Sequence, residues 1–257
     1  MRKAFAVFVV SCLVAGTAFS ATLDFDELVN KLEKEFIESL ANDIGSVLAG
    51  GMFHSGRTLP ILPGIDLGLI TATSLEPSAD DEILKTSMGD KLFGLPFVQL
   101  SKGLPKSFEL TLRGFPETQG VEMLGVGVKY GIIEKELAVV KMGLSAMYSY
   151  NQLTYATFKA NTNSVAGIFS VSIPVIEPYL GVAMDTTKLE TKFDPTYLTN
   201  YFTNLDLPVK GNLSATGTAL RGVLGLNFSL LPFTYINVAG TYLIDHFGID
   251  FGLGVNF

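Results

Sequence analysis

His246-Phe247-Gly248-Ile249-Asp250-Phe251-Gly252-Leu253-Gly254-Val255-Asn256-Phe257 reads in two registers. Odd positions carry Phe, Ile, Phe, Leu, Val and Phe, and even positions carry His, Gly, Asp, Gly, Gly and Asn. Successive side chains on a strand point to opposite faces, so one face is continuously apolar and the other small or polar. In a soluble sandwich the apolar face would meet a second sheet. In a membrane barrel it meets lipid, while the small, polar face looks into the lumen. The stretch reads as the closing strand of a barrel.

The rest of the chain fits that choice. Hydrophobic residues make up 48% of 257, yet past the first twenty positions no run approaches the ~20 apolar residues of a spanning helix. Apolar residues alternate instead with Gly, Ser, Thr, Asn and Lys. Tryptophan is absent, so interfacial girdles must be built from Phe and Tyr.

Residues 1–20 stand apart. Arg2 and Lys3, the apolar run Ala4 to Val14, and Ala18-Phe19-Ser20 before Ala21 form a secretory signal peptide. Cleavage is expected near Ser20-Ala21. Cys12, the only cysteine, lies inside it; Val9-Val10-Ser11-Cys12 resembles a lipoprotein box, but apolar sequence continues beyond. The mature chain then offers no disulfide and no thiolate metal site. Loss of Arg2 and Lys3 moves the formal charge from −7 to −9, which argues against nucleic acid as a partner.

Residues 21–45 read as an amphipathic helix. Asp24 and Glu27 are spaced as a capping box, and Phe25, Leu28, Leu32, Phe36 and Leu40 form a stripe opposite Asp26, Lys31, Glu33, Lys34, Glu35 and Glu38. An end near Asn42 to Gly45 is expected. A lone helix of this kind is marginal in water, so it docks either as a plug in the barrel or against a periplasmic partner. Residues 46–64, with Gly50-Gly51, His54-Ser55-Gly56, Pro60 and Pro63, read as a loop. His54-Ser55 lacks a placeable acid for a hydrolase.

Residues 65–257 form the barrel: antiparallel, up-and-down, about ten strands, with eight to twelve as the range. Strands are expected over Ile65 to Thr73, a short Phe97 to Ser101, Phe108 to Arg113, Leu124 to Ile132, Leu144 to Tyr150, Val165 to Ile173, Tyr179 to Asp185, Leu220 to Leu230, Ile236 to Tyr242, and the C-terminal stretch. Pro116-Glu117-Thr118-Gln119, Glu134-Lys135-Glu136 and Pro174 to Pro178 read as turns. Ten strands fit both chain ends in the periplasm and the long loop at 186–213 outside. Closure is required because an open edge in hydrocarbon leaves backbone groups unpaired.

Glu109, Arg113, Lys129, Arg221 and Asp250 alternate onto the inner face as a lumen charge network that satisfies itself or filters solutes. Phe193, Tyr197, Tyr201 and Phe202 form a candidate ligand-capture loop. Inward glycines at 125, 127, 131, 248, 252 and 254 make room for a ligand or for the N-terminal helix. Asp245-His246 at a loop tip faintly resembles the dyads of barrel proteases and lipases. No metal-ligand spacing, nucleotide loop or nucleophile motif appears, so neither cofactor nor enzymatic activity is expected.

Phe251, Leu253, Val255 and the terminal Phe257 resemble the signal read by the outer-membrane barrel assembly machinery. That resemblance implies the bacterial outer membrane, with its lipid and that machinery as partners. The amphipathic start, the Gly-rich loop, Leu104-Pro105-Lys106 with Leu112-Arg113-Gly114-Phe115-Pro116, and Leu124-Gly125-Val126-Gly127-Val128-Lys129 are similar to an uncharacterised family of FadL-related barrels. FadL-type transporters have more strands and an N-terminal Asn-Pro-Ala hatch absent here. The resemblance implies binding or passage of a small hydrophobic compound. The alternatives are a structural or adhesion barrel and, least favoured, a lipid-modifying enzyme.

Overall fold

The computed structural model describes residues 37–75, 93–118, 120–155, 158–191, 213–229, 231–243 and 246–257. Among the described residues one helix, α1 (Ile37–Ala49), precedes ten strands: β1 (Ile65–Ser74), β2 (Phe93–Leu104), β3 (Phe108–Thr118), β4 (Val121–Leu137), β5 (Val140–Tyr155), β6 (Phe158–Ser172), β7 (Ile176–Thr191), β8 (Leu213–Phe228), β9 (Thr234–Leu243) and β10 (His246–Asn256). Each strand pairs antiparallel with its sequence neighbour, and β1 pairs with β10 to close the barrel. The seam runs from Asp66↔Asn256 to Ser74↔Gly248. At its end Ile65 and Phe257 exchange backbone hydrogen bonds of 3.1 and 2.8 Å. Closure removes the edge that lipid would not tolerate.

Alternation decides which face is which. Along β4, Leu124, Val126, Val128, Tyr130 and Ile132 are exposed, while Met123, Gly125, Gly127, Lys129 and Gly131 are buried inside. Leu124 is 67% exposed and its neighbour Met123 2%. On β10, Phe247, Ile249 and Phe251 point out against buried Gly248, Asp250 and Gly252, with Leu253, Val255 and Phe257 continuing the outward row. An apolar exterior around a partly polar interior is the inverse of a soluble sandwich and suits hydrocarbon. Aromatic pairs mark the rims. Phe233 stacks on Phe257 at 5.7 Å and Phe108 meets Tyr130 at 4.9 Å at the end with short turns. Tyr242 meets Phe247 at 4.9 Å at the other end, the placement expected of interfacial aromatics.

The wall is uneven in height. β4 to β8 carry 17, 16, 15, 16 and 16 residues, against 10 to 12 in the other five. A tilted span needs ~9–11, so the taller strands project beyond it. Outward side chains there become polar: Tyr148 donates to Asn163 at 2.7 Å and Tyr150 to Asn161 at 2.8 Å.

Several expected boundaries shift, for physical reasons. β2 begins at Phe93, not Phe97. Pro116 and Pro178 lie within strands rather than turns, as does Pro96. All three sit where one ladder needs no N–H from them. Pro116 falls in the register break between Phe115 and Thr118. β2–β3 pairing stops at Val98↔Gly114 and β6–β7 pairing at Ser170↔Tyr179, leaving Pro96 and Pro178 beyond those ladders. Glu134-Lys135-Glu136 belongs to β4, whose turn comes at Ala138, in left-handed backbone (φ 54°). Residues 151–163 form one hairpin extension, paired out to Tyr155↔Phe158, so the strand count stays at ten.

Candidate functional site in the barrel lumen

The lumen holds the chain's own residues from α1 to Leu59, and residues 60–63 are exposed where the chain leaves it toward β1. Of the expected helix 21–45, residues 21–36 lie outside the described residues, and α1 runs through Gly45 to Ala49. It sits inside the wall against β6, β7 and β8. Leu40, Ala41, Leu48 and Ala49 are 0% exposed. Leu40, Ala41 and Leu48 pack with Phe93, Phe97, Leu153, Phe158 and Leu189 of the wall into an apolar cluster at the loop-bearing end. The polar residues Asp43 and Ser46 are buried with them, while Glu38 stays exposed at the first turn.

Gly50-Gly51, read as loop, is the helix stop. Gly50 N donates to Ser46 O at 2.8 Å, and Gly51 takes positive φ (63°), the left-handed conformation that ends helices. The last carbonyls of a helix need donors, and Arg113 supplies them. Its Nη2 donates to Leu48 O, and its Nη1 to Gly50 O at 2.7 Å. The Nε donates to Asn151 at 2.9 Å, with the guanidinium 4.7 Å over the Phe97 ring. Opposite, Asp250 Oδ2 accepts from Gly51 N at 2.8 Å. A cation at the helix's negative end is favourable in its own right.

Below this belt the chain runs on without helix or strand. Phe53 packs among Met147, Ile168, Tyr179 and Val223. A side chain at Gly181 would collide with its ring, and one at Gly127 with Met52. Other inward glycines are filled from the wall: Gly254 by Tyr235 and Gly252 by Ile70. The thread's backbone is then taken up by wall side chains, as a buried segment without helix or strand requires. Gln99 donates to Met52 O at 3.4 Å, and Asn227 donates to His54 O. Gly56 N donates to Ser170 at 3.0 Å, Thr58 N to Glu134 at 2.7 Å and Leu59 N to Glu109 at 2.9 Å. Lys102 reaches Ile61 O and Pro63 O at 2.7 and 2.6 Å.

The five residues expected as one charge network divide into three groups, all buried. Arg113 and Asp250 hold the end of α1. Glu109 pairs with Lys129 at 2.8 Å while receiving Leu59 N. Arg221 makes a two-pronged pair with Asp185 at 2.6 and 3.2 Å. Asp185 was read only as the end of a strand; its alternation with Ala183 and Thr187 was the available signal. Gln99 and Asn151 were also missed, whereas Asn227 is inside as its alternation with Leu226 and Phe228 predicts. Phe193, Tyr197, Tyr201, Phe202 and Asp245 lie outside the described residues, as does the side chain of His246.

At the turn-bearing end a cavity of about 200 Å³ opens among His54, Asp66, Glu109, Lys129, Glu177 and Tyr235. His54 stacks on Tyr235 at 4.8 Å, with Nε2 3.7 Å from Asp66. Ser55 donates to Glu177 at 2.6 Å rather than to His54, so the adjacent pair does not assemble a nucleophile and base.

Among solved structures, the chain is similar to the N-terminal β-barrel domain of Pseudomonas aeruginosa OprF, at 12% identity and a TM-score of 0.33, over 74% of this chain and 97% of that one. It is similar to the KdgM porin at 10% and 0.37, over 75% and 99%. A third is Ail, the attachment invasion locus protein of Yersinia pestis, at 12% and 0.26, over 75% and 94%. The kinship expected with FadL-type barrels is not shown by these matches. No curated protein matches the chain. Residues 84–257 match the family of unknown function DUF6588, and the chain belongs to that family.

Proposed function

We propose that this protein is a bacterial outer-membrane barrel held shut by its own residues from α1 to Leu59, a structural or adhesion barrel rather than an open pore. One observation carries the reading: α1 packs into the apolar cluster at the loop end, and wall side chains bind the chain's backbone at points from Leu48 to Pro63. An open channel would instead leave inward polar groups to water. On this reading Glu109, Arg113, Lys129, Arg221 and Asp250 act as clamps and wall braces instead of a solute filter. Lipid is the partner of the outward rows, and Phe251, Leu253, Val255 and Phe257 present the assembly signal.

A second reading, binding or passage of a small hydrophobic compound in the manner of FadL, is favoured by one feature. The lumen at the loop end is lined by Phe93, Phe97, Leu153, Phe158 and Leu189. Withdrawal of α1 would turn that lining into an apolar vestibule below the loop carrying Phe193, Tyr197, Tyr201 and Phe202. Planar-bilayer conductance of the full chain and of a variant lacking residues 21–49 separates the two. The plugged reading expects silence from the full chain and steady current from the variant. Current through the intact protein, raised by a hydrophobic solute, would select the second reading.

A further inference from the structure

The direction of the thread carries more than its presence. Reading down the lumen, Glu38 O and Asn42 lie against Gly217, near the start of β8. Gly45 lies against Thr187, near the end of β7. Gly51 N then reaches Asp250, midway along β10, and Gly56 touches Gly143, near the start of β5. Gly64 O finally accepts from Gly103 N, next to the end of β2. The start of β8 and the end of β7 flank the long loop; the start of β5 and the end of β2 flank short turns. The chain therefore descends from the loop-bearing end to the turn-bearing end, where β1 begins.

We infer that the polypeptide upstream of α1 enters the lumen from the external face, so that the mature N-terminal segment is presented at the cell surface. This rests on the outer-membrane reading above, with long loops outside. Two return routes are closed. A second pass down the lumen meets α1 packed against the wall, with Leu40, Ala41, Leu48 and Ala49 wholly buried. A pass outside the barrel would draw Asp24, Asp26, Glu27, Lys31, Glu33, Lys34 and Glu35 through hydrocarbon, which excludes charged side chains and unpaired backbone. Glu38, exposed at the first turn of α1, marks the point of entry. The barrel thus holds its own leading segment across the membrane.

The sole native cysteine lies in the signal segment, so single cysteines report sidedness. Glu38→Cys, Lys188→Cys at the loop end and Lys135→Cys at the turn end are each treated in intact cells with a membrane-impermeant maleimide. Heat-modifiable gel migration confirms that each variant folds. Glu38→Cys is expected to react as fully as Lys188→Cys, with Lys135→Cys reacting only after the outer membrane is permeabilised. An epitope placed between Ala21 and Thr22 should likewise bind antibody on intact cells. Reaction of Lys188→Cys with protection of both Glu38→Cys and the epitope overturns the inference alone. Protection of Lys188→Cys with reaction of Lys135→Cys overturns the orientation, and surface presentation with it.

Discussion

The two ends of the lumen solve one problem with opposite chemistry. At the loop end, a helix satisfies its own backbone, so the wall need offer only shape and apolar surface: Phe93, Phe97, Leu153, Phe158 and Leu189 around Leu40 and Leu48. At the turn end the same chain is irregular and, apart from Arg57 N donating to Ser55 at 3.0 Å, leans on the wall for its backbone partners. There the wall answers with Glu134, Glu109, Ser170, Asn227 and Lys102, which bind backbone groups from His54 to Pro63. Arg113 and Asp250 sit at the changeover, where the helix runs out. The lining of a filled barrel is dictated by the conformation of its filling as much as by its polarity.

Four substitutions probe that contrast, in descending order of effect. Leu48→Asp puts a charge into the apolar cluster and should cost on the order of 5 kcal/mol. Bursts of current in a planar bilayer, absent from the parent, are the expected sign that α1 has loosened. Arg113→Ala strips the helix end and Asn151 of their donor. A loss of about 3–5 kcal/mol is expected in urea unfolding followed by circular dichroism. Arg113→Lys should recover only part, since one ammonium cannot serve three acceptors fixed in a plane. If lysine restored everything, the changeover would need only charge.

Gly56→Ala tests how closely the thread lies on the wall. Its added Cβ would sit 2.6 Å from Gly143 O, so about 1–3 kcal/mol of strain is expected. Gly167→Ala is the matched control, because an added Cβ there meets nothing within 4 Å. Equal melting temperatures for the two would show that the thread gives way freely. Smallest of all is Glu136→Gln. Glu136 pairs with Arg57 at 3.2 Å and Lys141 at 3.1 Å in the open at the rim, where such pairs contribute little. No change in unfolding or conductance is expected; a measurable loss would mean that the rim takes part in holding the thread.

What could be read from the sequence was whatever obeys a period of two. β10, β4 and the outward rows of β5 and β6 were legible because lipid on one side and lumen on the other force alternation residue by residue. The inward placement of Glu109, Arg113, Lys129, Arg221 and Asp250 followed from the same rule. Their partners did not. Arg113 meets Leu48 and Gly50, Glu109 meets Leu59, and Asp250 meets Gly51 across 199 positions; no local pattern encodes such pairings. Strand prolines misled for a related reason, since whether an N–H is needed depends on where a neighbouring ladder stops. Glu134 looked like a turn residue because the chain it holds, at Thr58, arrives from far upstream.

The seam between β1 and β10 has a consequence for biogenesis. The plug is continuous with β1, one of the two strands that close the ring. Had the ring sealed first, the free leading end would have to be fed lengthwise down a lumen in which α1 packs directly against the wall. Laid in sideways while β1 and β10 are still apart, it needs no threading at all. Zipping Asp66 to Asn256 through Ser74 to Gly248 then locks the cargo in place, making closure and loading a single act.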